Sequence, residues 1–145
     1  MAKVSTYLFF QRNTEEVFNF YRSVFGTEFI GGIMRFKDTP ASNDMPPLPE
    51  SDKDLVMHVS LPILGGHILM GTDTPESRDF SAEIEKNVYI NLQPDTREET
   101  RQLFEALSKG GKVEMELQEM FWGDYFGSCK DKYGVQWMFT CSSAK

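Results

Sequence analysis

Two histidines and two cysteines, His58, His67, Cys129 and Cys141, are the first candidates for acid–base, nucleophilic or metal chemistry. His58 falls in a predicted strand with Val56 and Ser60 on its own face. An imidazole titrates near neutrality, so it could take a proton from a ligand or bind one. The same residue also reads as a half-buried strand histidine with a hydrogen-bond partner. His67 follows Gly65-Gly66 and reads as exposed. Two histidines on adjacent strands could share a metal with carboxylate or water, but no H-x-H or H-x-x-x-H spacing supports that. Both cysteines fall inside predicted strands with no neighbouring base or helix N-terminus, and read as packed, reduced thiols. The acidic residues lie mainly in loops and on helix faces, and no isolated carboxylate pair stands out as an acid/base couple. Trp122, Tyr125, Phe126 and Trp137 concentrate aromatic surface near the C-terminus. That concentration, like Tyr7 and Tyr89, serves equally as core or as ligand wall.

The elements that must position these residues begin with the last hairpin. Tyr125 to Cys129 predicts one strand, Asp131-Lys132-Tyr133-Gly134 a tight turn, and Val135 to Cys141 the returning strand. Alternation sends Val135, Trp137, Phe139 and Cys141 one way, and Gln136, Met138 and Thr140 the other. At the N-terminus, Val4 to Phe10 predicts a strand. Asn13 to Glu16 reads as a capped helix start, and Val17, Phe20, Tyr21, Val24 and Phe25 form the helix's apolar stripe before Gly26 ends it. Glu28 to Phe36, Leu55 to Leu61 and His67 to Thr72 complete the strands of the first half. Residues 37–54 carry four prolines among acids and predict a long surface loop. After a polar connector over 73–86, Asn87 to Gln93 predicts a strand. Thr96-Arg97-Glu98-Glu99 is a capping box, with Leu103, Phe104 and Leu107 on the helix face it opens. Lys112 to Gln118 predicts the strand before the hairpin.

With 145 residues, 40% hydrophobic and 13% aromatic, the chain suits one globular domain over 1–145. A net charge of −7 with no basic stripe argues against nucleic acid and anionic membrane as partners. No segment approaches the ~20 apolar residues of a membrane span, and no leader pattern opens the chain. The cytoplasm is the default expectation.

The order strand, helix, strand, strand, strand is predicted twice, over 1–75 and 86–145. Tyr7, Gln11 and Thr14 recur as Tyr89, Gln93 and Thr96, 82 positions on. Gly66, Met70 and Thr72 line up with Gly134, Met138 and Thr140, 68 positions on. A two-fold internal repeat accounts for both.

Tandem βαβββ halves resemble the vicinal-oxygen-chelate superfamily, which includes glyoxalase I, bleomycin-resistance proteins and extradiol dioxygenases. Phe18-x-Phe20-Tyr21-x-x-Val24-Phe25-Gly26, Leu64-Gly65-Gly66-His67-Ile68-Leu69-Met70, Trp122-Gly123-Asp124-Tyr125-Phe126-Gly127 and Asp131-Lys132-Tyr133-Gly134-Val135-Gln136-Trp137-Met138 are similar to runs of its PhnB-like branch. The resemblance implies an α+β fold whose curved, eight-stranded mixed sheet forms an open cup with helices outside, and a homodimer. Metal-using members line the cup with His and Glu from the first and fourth strands of each half. The matching positions here are Thr6, Met70, Val88 and Met138, which a divalent cation does not favour.

The expected pocket therefore comprises Thr6, Leu8, His58, Met70, Val88, Trp122, Tyr125 and Met138, with His58 as the candidate catalytic group and no metal or other cofactor. Three functions compete. The first is capture of a small apolar or aromatic molecule. The second is a lyase, isomerase or dioxygenase holding one divalent metal through a shifted set that includes His58. The third is an interaction protein that uses loop 37–54. Part of the branch carries a methyltransferase label, but no strand here runs into a Gly-rich loop opening a helix.

Overall fold

A computed structural model of the chain describes residues 4–38, 49–74 and 88–142. The chain divides into two compact units, Met1–Glu83 and Ile84–Lys145. In the first, β1 (Thr6–Phe10), α1 (Thr14–Phe25), β2 (Met34–Arg35), β3 (Val56–Pro62) and β4 (Ile68–Asp73) follow in chain order. Their sheet runs β1-β4-β3-β2, with β1 parallel to β4 and the other pairs antiparallel. In the second, β5 (Ile90–Leu92), α2 (Arg97–Ser108), β6 (Lys112–Glu119), β7 (Tyr125–Lys130) and β8 (Gln136–Cys141) give the order β5-β8-β7-β6 with the same pairing senses. Both units are thus βαβββ with an open four-stranded mixed sheet, in keeping with the expected α+β class.

Each helix covers one face of its own sheet. The α1 stripe buries Val17, Phe18 and Tyr21, and Phe18 lies directly over β4. Gly71 makes that approach possible: a Cβ there would sit 2.5 Å from Phe18 Cε1 and 3.1 Å from the Thr14 methyl. On α2, Leu103, Phe104 and Leu107 are buried, and Phe104 meets Phe139 edge-on at 5.3 Å.

The helix starts differ from each other. Thr96 caps α2 as expected, its hydroxyl accepting from the Glu99 amide at 3.1 Å. Asn13 does not cap α1 with its side chain. The buried carboxylate of Asp73, at the end of β4, accepts from the Thr14 amide at 3.0 Å and, through its second oxygen, from the Val56 amide at 2.9 Å. A remote carboxylate at a helix N-terminus satisfies an orphan donor and the helix dipole together, which no local capping pattern could announce.

Three further expectations need correcting. The strand expected over 28–36 is ordered as β only at Met34–Arg35, because Gly31 and Gly32 both take positive φ and bend the chain out of the ladder. In the acidic stretch after it, Asp52 is buried and paired with Arg12 at 2.6 Å, so this acid does pack. Residues 39–48, most of the Pro-rich loop, and residues 75–87, most of the second connector, lie outside the described residues. Finally, Tyr7 and Tyr89 are not register equivalents: Tyr7 aligns with Met70, whereas Asn91, not Tyr89, aligns with Met138. The 82-residue echo is therefore two residues out of step with the strand pairing.

The β7–β8 turn is organised by Asp131. One carboxylate oxygen accepts from the amides of Tyr133 (2.9 Å) and Val135 (3.1 Å), and the other from Trp137 Nε1 (2.8 Å). Gly134 supplies the positive φ of the turn. The alternation expected for β8 is observed, with Trp137, Phe139 and Cys141 on the helix side of the sheet.

Candidate functional site

Aligned residues of neighbouring strands share a face of the sheet. In the first unit, Leu69 and Gly71 of β4 face α1, and they align with Thr6 and Leu8 of β1 and with Leu61 and Val59 of β3. The opposite face is free of α1. It carries Tyr7 and Phe9 from β1, Met70 and Thr72 from β4, and Ser60 with His58 from β3, flanked by Met34 of β2. Tyr7, Phe9 and Met34 are 41%, 50% and 46% exposed, so apolar surface is presented outward there.

Three polar side chains on this open face form one chain. The Tyr7 hydroxyl lies 3.2 Å from His58 Nδ1, and His58 Nε2 lies 2.8 Å from Ser60 Oγ. The Tyr7 ring stacks obliquely on both neighbours, 5.1 Å from Phe9 and 5.8 Å from His58. A neutral imidazole donates from one nitrogen and accepts at the other, so two hydroxyl partners satisfy it completely. Partial burial pushes the Tyr7 phenol above its usual range, which keeps its proton in place at neutral pH. Beside this chain a concavity of about 450 Å³ is bounded by Val4, Ser5, Gly65, Gly66, His67 and Ile68, and by Met70, which it shares with the open face. His67 is partly buried, not exposed as expected, because its Nε2 bonds Thr6 Oγ1 at 2.9 Å.

Of the residues expected to line a pocket in this unit, His58 and Met70 lie together on the open face. Thr6 and Leu8 lie on the helix side, one residue out of phase. In the second unit Met138 faces away from α2, on the side of Asn91 and Ser128. Tyr125 aligns with Cys141 on the other side, where the Arg97 guanidinium lies 4.9 Å from its ring centre. Val88 precedes β5, is 66% exposed, and accepts from Gln136 Nε2 through its carbonyl. Trp122 sits in the β6–β7 turn, 53% exposed, edge-on to Phe121 at 4.8 Å, with Nε1 donating to Asp124. Sequence reasoning did not assign Phe9, Ser60 or Met34 to the site. The parity of β1 carried the signal: Phe10 closes the buried row, which puts Tyr7 and Phe9 opposite it.

The Cys129 thiol and the Tyr89 phenol lie outside this face, in the second unit. Burial, reinforced by Asp131 and Glu114, pushes the Cys129 thiol up to about 12, so it holds no thiolate near neutrality. The Tyr89 hydroxyl donates to Glu114 at 2.8 Å, which raises its own pKa. The four positions that the family resemblance singled out, Thr6, Met70, Val88 and Met138, supply a hydroxyl, two thioethers and an isopropyl group, and Thr6 faces the helix side. Among the described residues no three of His, Cys, Asp and Glu converge. This donor set does not fit a hard or borderline divalent cation.

Residues 2–140 match the family model described as 3-demethylubiquinone-9 3-methyltransferase. The chain belongs to that family, the PhnB-like branch of the vicinal-oxygen-chelate fold. It is 29% identical to Protein YjdN of Escherichia coli (strain K12) over 93% of this chain and 92% of that protein. Protein PA1353 from Pseudomonas aeruginosa is 33% identical, with a TM-score of 0.81 over 97% of this chain and 98% of its own. A PhnB protein from Bacillus cereus is 27% identical, with a TM-score of 0.73 over 97% and 99% of the two chains. A glyoxalase/bleomycin resistance protein/dioxygenase family enzyme from Burkholderia phytofirmans PsJN shares the fold at 17% identity, with a TM-score of 0.62 over 95% and 98%.

Proposed function

We propose that this PhnB-like protein binds a small apolar or aromatic molecule on the open face of its first sheet. The observation that carries the reading is the Tyr7–His58–Ser60 hydrogen-bond chain set among exposed Phe9 and Met34 and half-buried Met70. Binding sites of this kind are mostly apolar surface with a few convergent polar groups that orient the ligand. The rings provide stacking area, the thioethers adapt to shape, and the hydroxyls and imidazole read a polar substituent. The adjoining concavity gives such a ligand depth.

The methyl transfer in the family's description finds little support in the chain itself. The turns from β1 to α1 and from β5 to α2 are Gln11-Arg12-Asn13 and Gln93-Pro94-Asp95-Thr96. Neither contains the glycines that let backbone amides close around a nucleotide-like cofactor. A metal-dependent reading would draw its ligands from a set built on His58, whose two ring nitrogens are already engaged by hydroxyls.

Amide chemical shifts of ¹⁵N-labelled protein titrated with indole test the proposal. The expected result is saturable shifts centred on β1, β3 and β4 that vanish in Tyr7→Ala. Shifts that do not saturate, or that ignore this substitution, would refute it.

A further inference from the structure

The hydrogen-bond chain on the open face has an order of groups that simple ligand capture does not need. A base lies within reach of a hydroxyl, and the base is itself held from behind. Ser60 Oγ sits 2.8 Å from His58 Nε2, and His58 Nδ1 sits 3.2 Å from the Tyr7 hydroxyl. This is the order of parts by which a neutral serine becomes nucleophilic: hydroxyl, imidazole, and a third group that fixes the ring's orientation and tautomer. In the tautomer whose Nδ1–H donates to Tyr7 Oη, the Nε2 lone pair is aimed at the Ser60 hydroxyl. The strands that carry them are paired to a common neighbour: β3 to β4 at Ser60 and Met70, and β1 to β4 at Tyr7 and Met70. The group that would be attacked has a place to rest, because Phe9 and Met70 share the face and the concavity opens at Met70.

We infer that Ser60 is a nucleophile activated by His58, with Tyr7 as its positioning residue, and that this face takes the acyl group of small apolar esters. Ser60 Oγ attacks the ester carbonyl carbon while His58 Nε2 accepts the hydroxyl proton. The bond from that carbon to the leaving alcohol oxygen then breaks, and His58 gives the proton to the departing oxygen. Water repeats the sequence on the acyl-serine, delivering its proton through His58, releasing the carboxylic acid and restoring the Ser60 hydroxyl. No oxidant, metal or further co-reactant enters the balance. The arrangement differs from an acid-anchored triad in one respect: Tyr7 is neutral, so it orients the imidazole without stabilising its charged form, and turnover is correspondingly modest.

The inference rests on the proposed binding face, and the test separates the two. The full-length protein is incubated with 4-nitrophenyl acetate, and acetylation is followed by intact mass and peptide mapping. A fluorophosphonate probe serves as a second label that turnover cannot remove. The expected result is a single acetyl or phosphonyl group on Ser60. Labelling should be lost in Ser60→Ala and slowed at least tenfold in His58→Gln. Tyr7→Phe, which keeps the ring and removes only the hydroxyl, should lower the acylation rate constant several-fold more than it changes the concentration for half-maximal rate, a split that loss of packing would not produce. Label found only on lysine or histidine, or undiminished in Ser60→Ala or in His58→Gln, overturns the inference. If indole still shifts β1, β3 and β4 in that case, the binding face stands and only the nucleophile falls. Should Ser60→Ala fail to fold, the mapped site in wild type and the His58→Gln rate decide the matter alone.

Discussion

Removing the Asp131 carboxylate should unfasten the β7–β8 hairpin, and the structure sets the size of the effect. The carboxylate is 2% exposed and accepts three hydrogen bonds, two from backbone amides and one from the indole of fully buried Trp137. Hydrogen bonds to a charged group contribute about 1.5–3 kcal/mol each, and a buried donor left without a partner costs about 1–3 kcal/mol. The Tyr133 amide is only part-buried and can recover water, whereas the Val135 amide and the Trp137 N–H are buried and cannot. Asp131→Ala is therefore expected to cost about 3–5 kcal/mol, a large part of the 5–15 kcal/mol typical of a folded domain. Asp131→Asn separates the contributions. Its oxygen can keep the two amide bonds, but its NH₂ then faces the indole N–H, donor against donor, for a cost of about 1–3 kcal/mol. Urea titrations in a Trp122→Phe background leave Trp137 as the only tryptophan, so fluorescence reads the hairpin directly. Adding Trp137→Phe, with unfolding then followed by circular dichroism, should shrink the cost of Asp131→Asn, because the conflicting donor is gone. A loss below about 1 kcal/mol for Asp131→Ala at unchanged denaturant slope, or equal stability for Asp131→Asn and Asp131→Ala, would refute the reasoning.

Two further outcomes follow from packing and burial. Gly71→Ala should destabilise by about 1–3 kcal/mol, since its Cβ would meet the Phe18 ring at 2.5 Å; Phe18→Leu in the same chain should restore part of the loss, and strict additivity in thermal melts would contradict the contact. The Cys129 thiol is raised from 9.0 to about 12 in the fold, so protons are held more tightly by the native state; its contribution to stability is present below about pH 9 and is lost as pH climbs towards 12. Native protein at pH 8 should accordingly leave Cys129 unlabelled by a disulfide reagent until urea is added, and rapid native-state labelling at that position would count against the burial.

Much of the fold was legible because the signals were local. The apolar spacing of Val17 and Tyr21, the capping box at Thr96, and the Asp131–Gly134 turn each specify their own segment by short-range chemistry. The alternation of β8 was equally readable, as its two faces differ sharply in composition. The site was harder. Thr6 and Leu8 were expected on the open face and lie on the helix side, since a strand's side-chain period is two and a shift of one residue exchanges its faces. The end of the strand, where Phe10 is buried and Thr74 returns to bond its carbonyl, settles the phase of β1. Asp73 shows the same limit from another direction: its carboxylate caps α1 from 59 residues away, and nothing near Asn13 announces it.

By itself, the amino-acid order determined two βαβββ units, their helix faces and the family to which they belong. Those properties depend on periodicity and on which residue types are present. Only the tertiary structure decided that Tyr7, His58 and Ser60 meet. They come from β1 and β3, which are separated by β4 in the sheet and by 51 residues in the chain, and hydrogen-bond distance is a property of strand order and register.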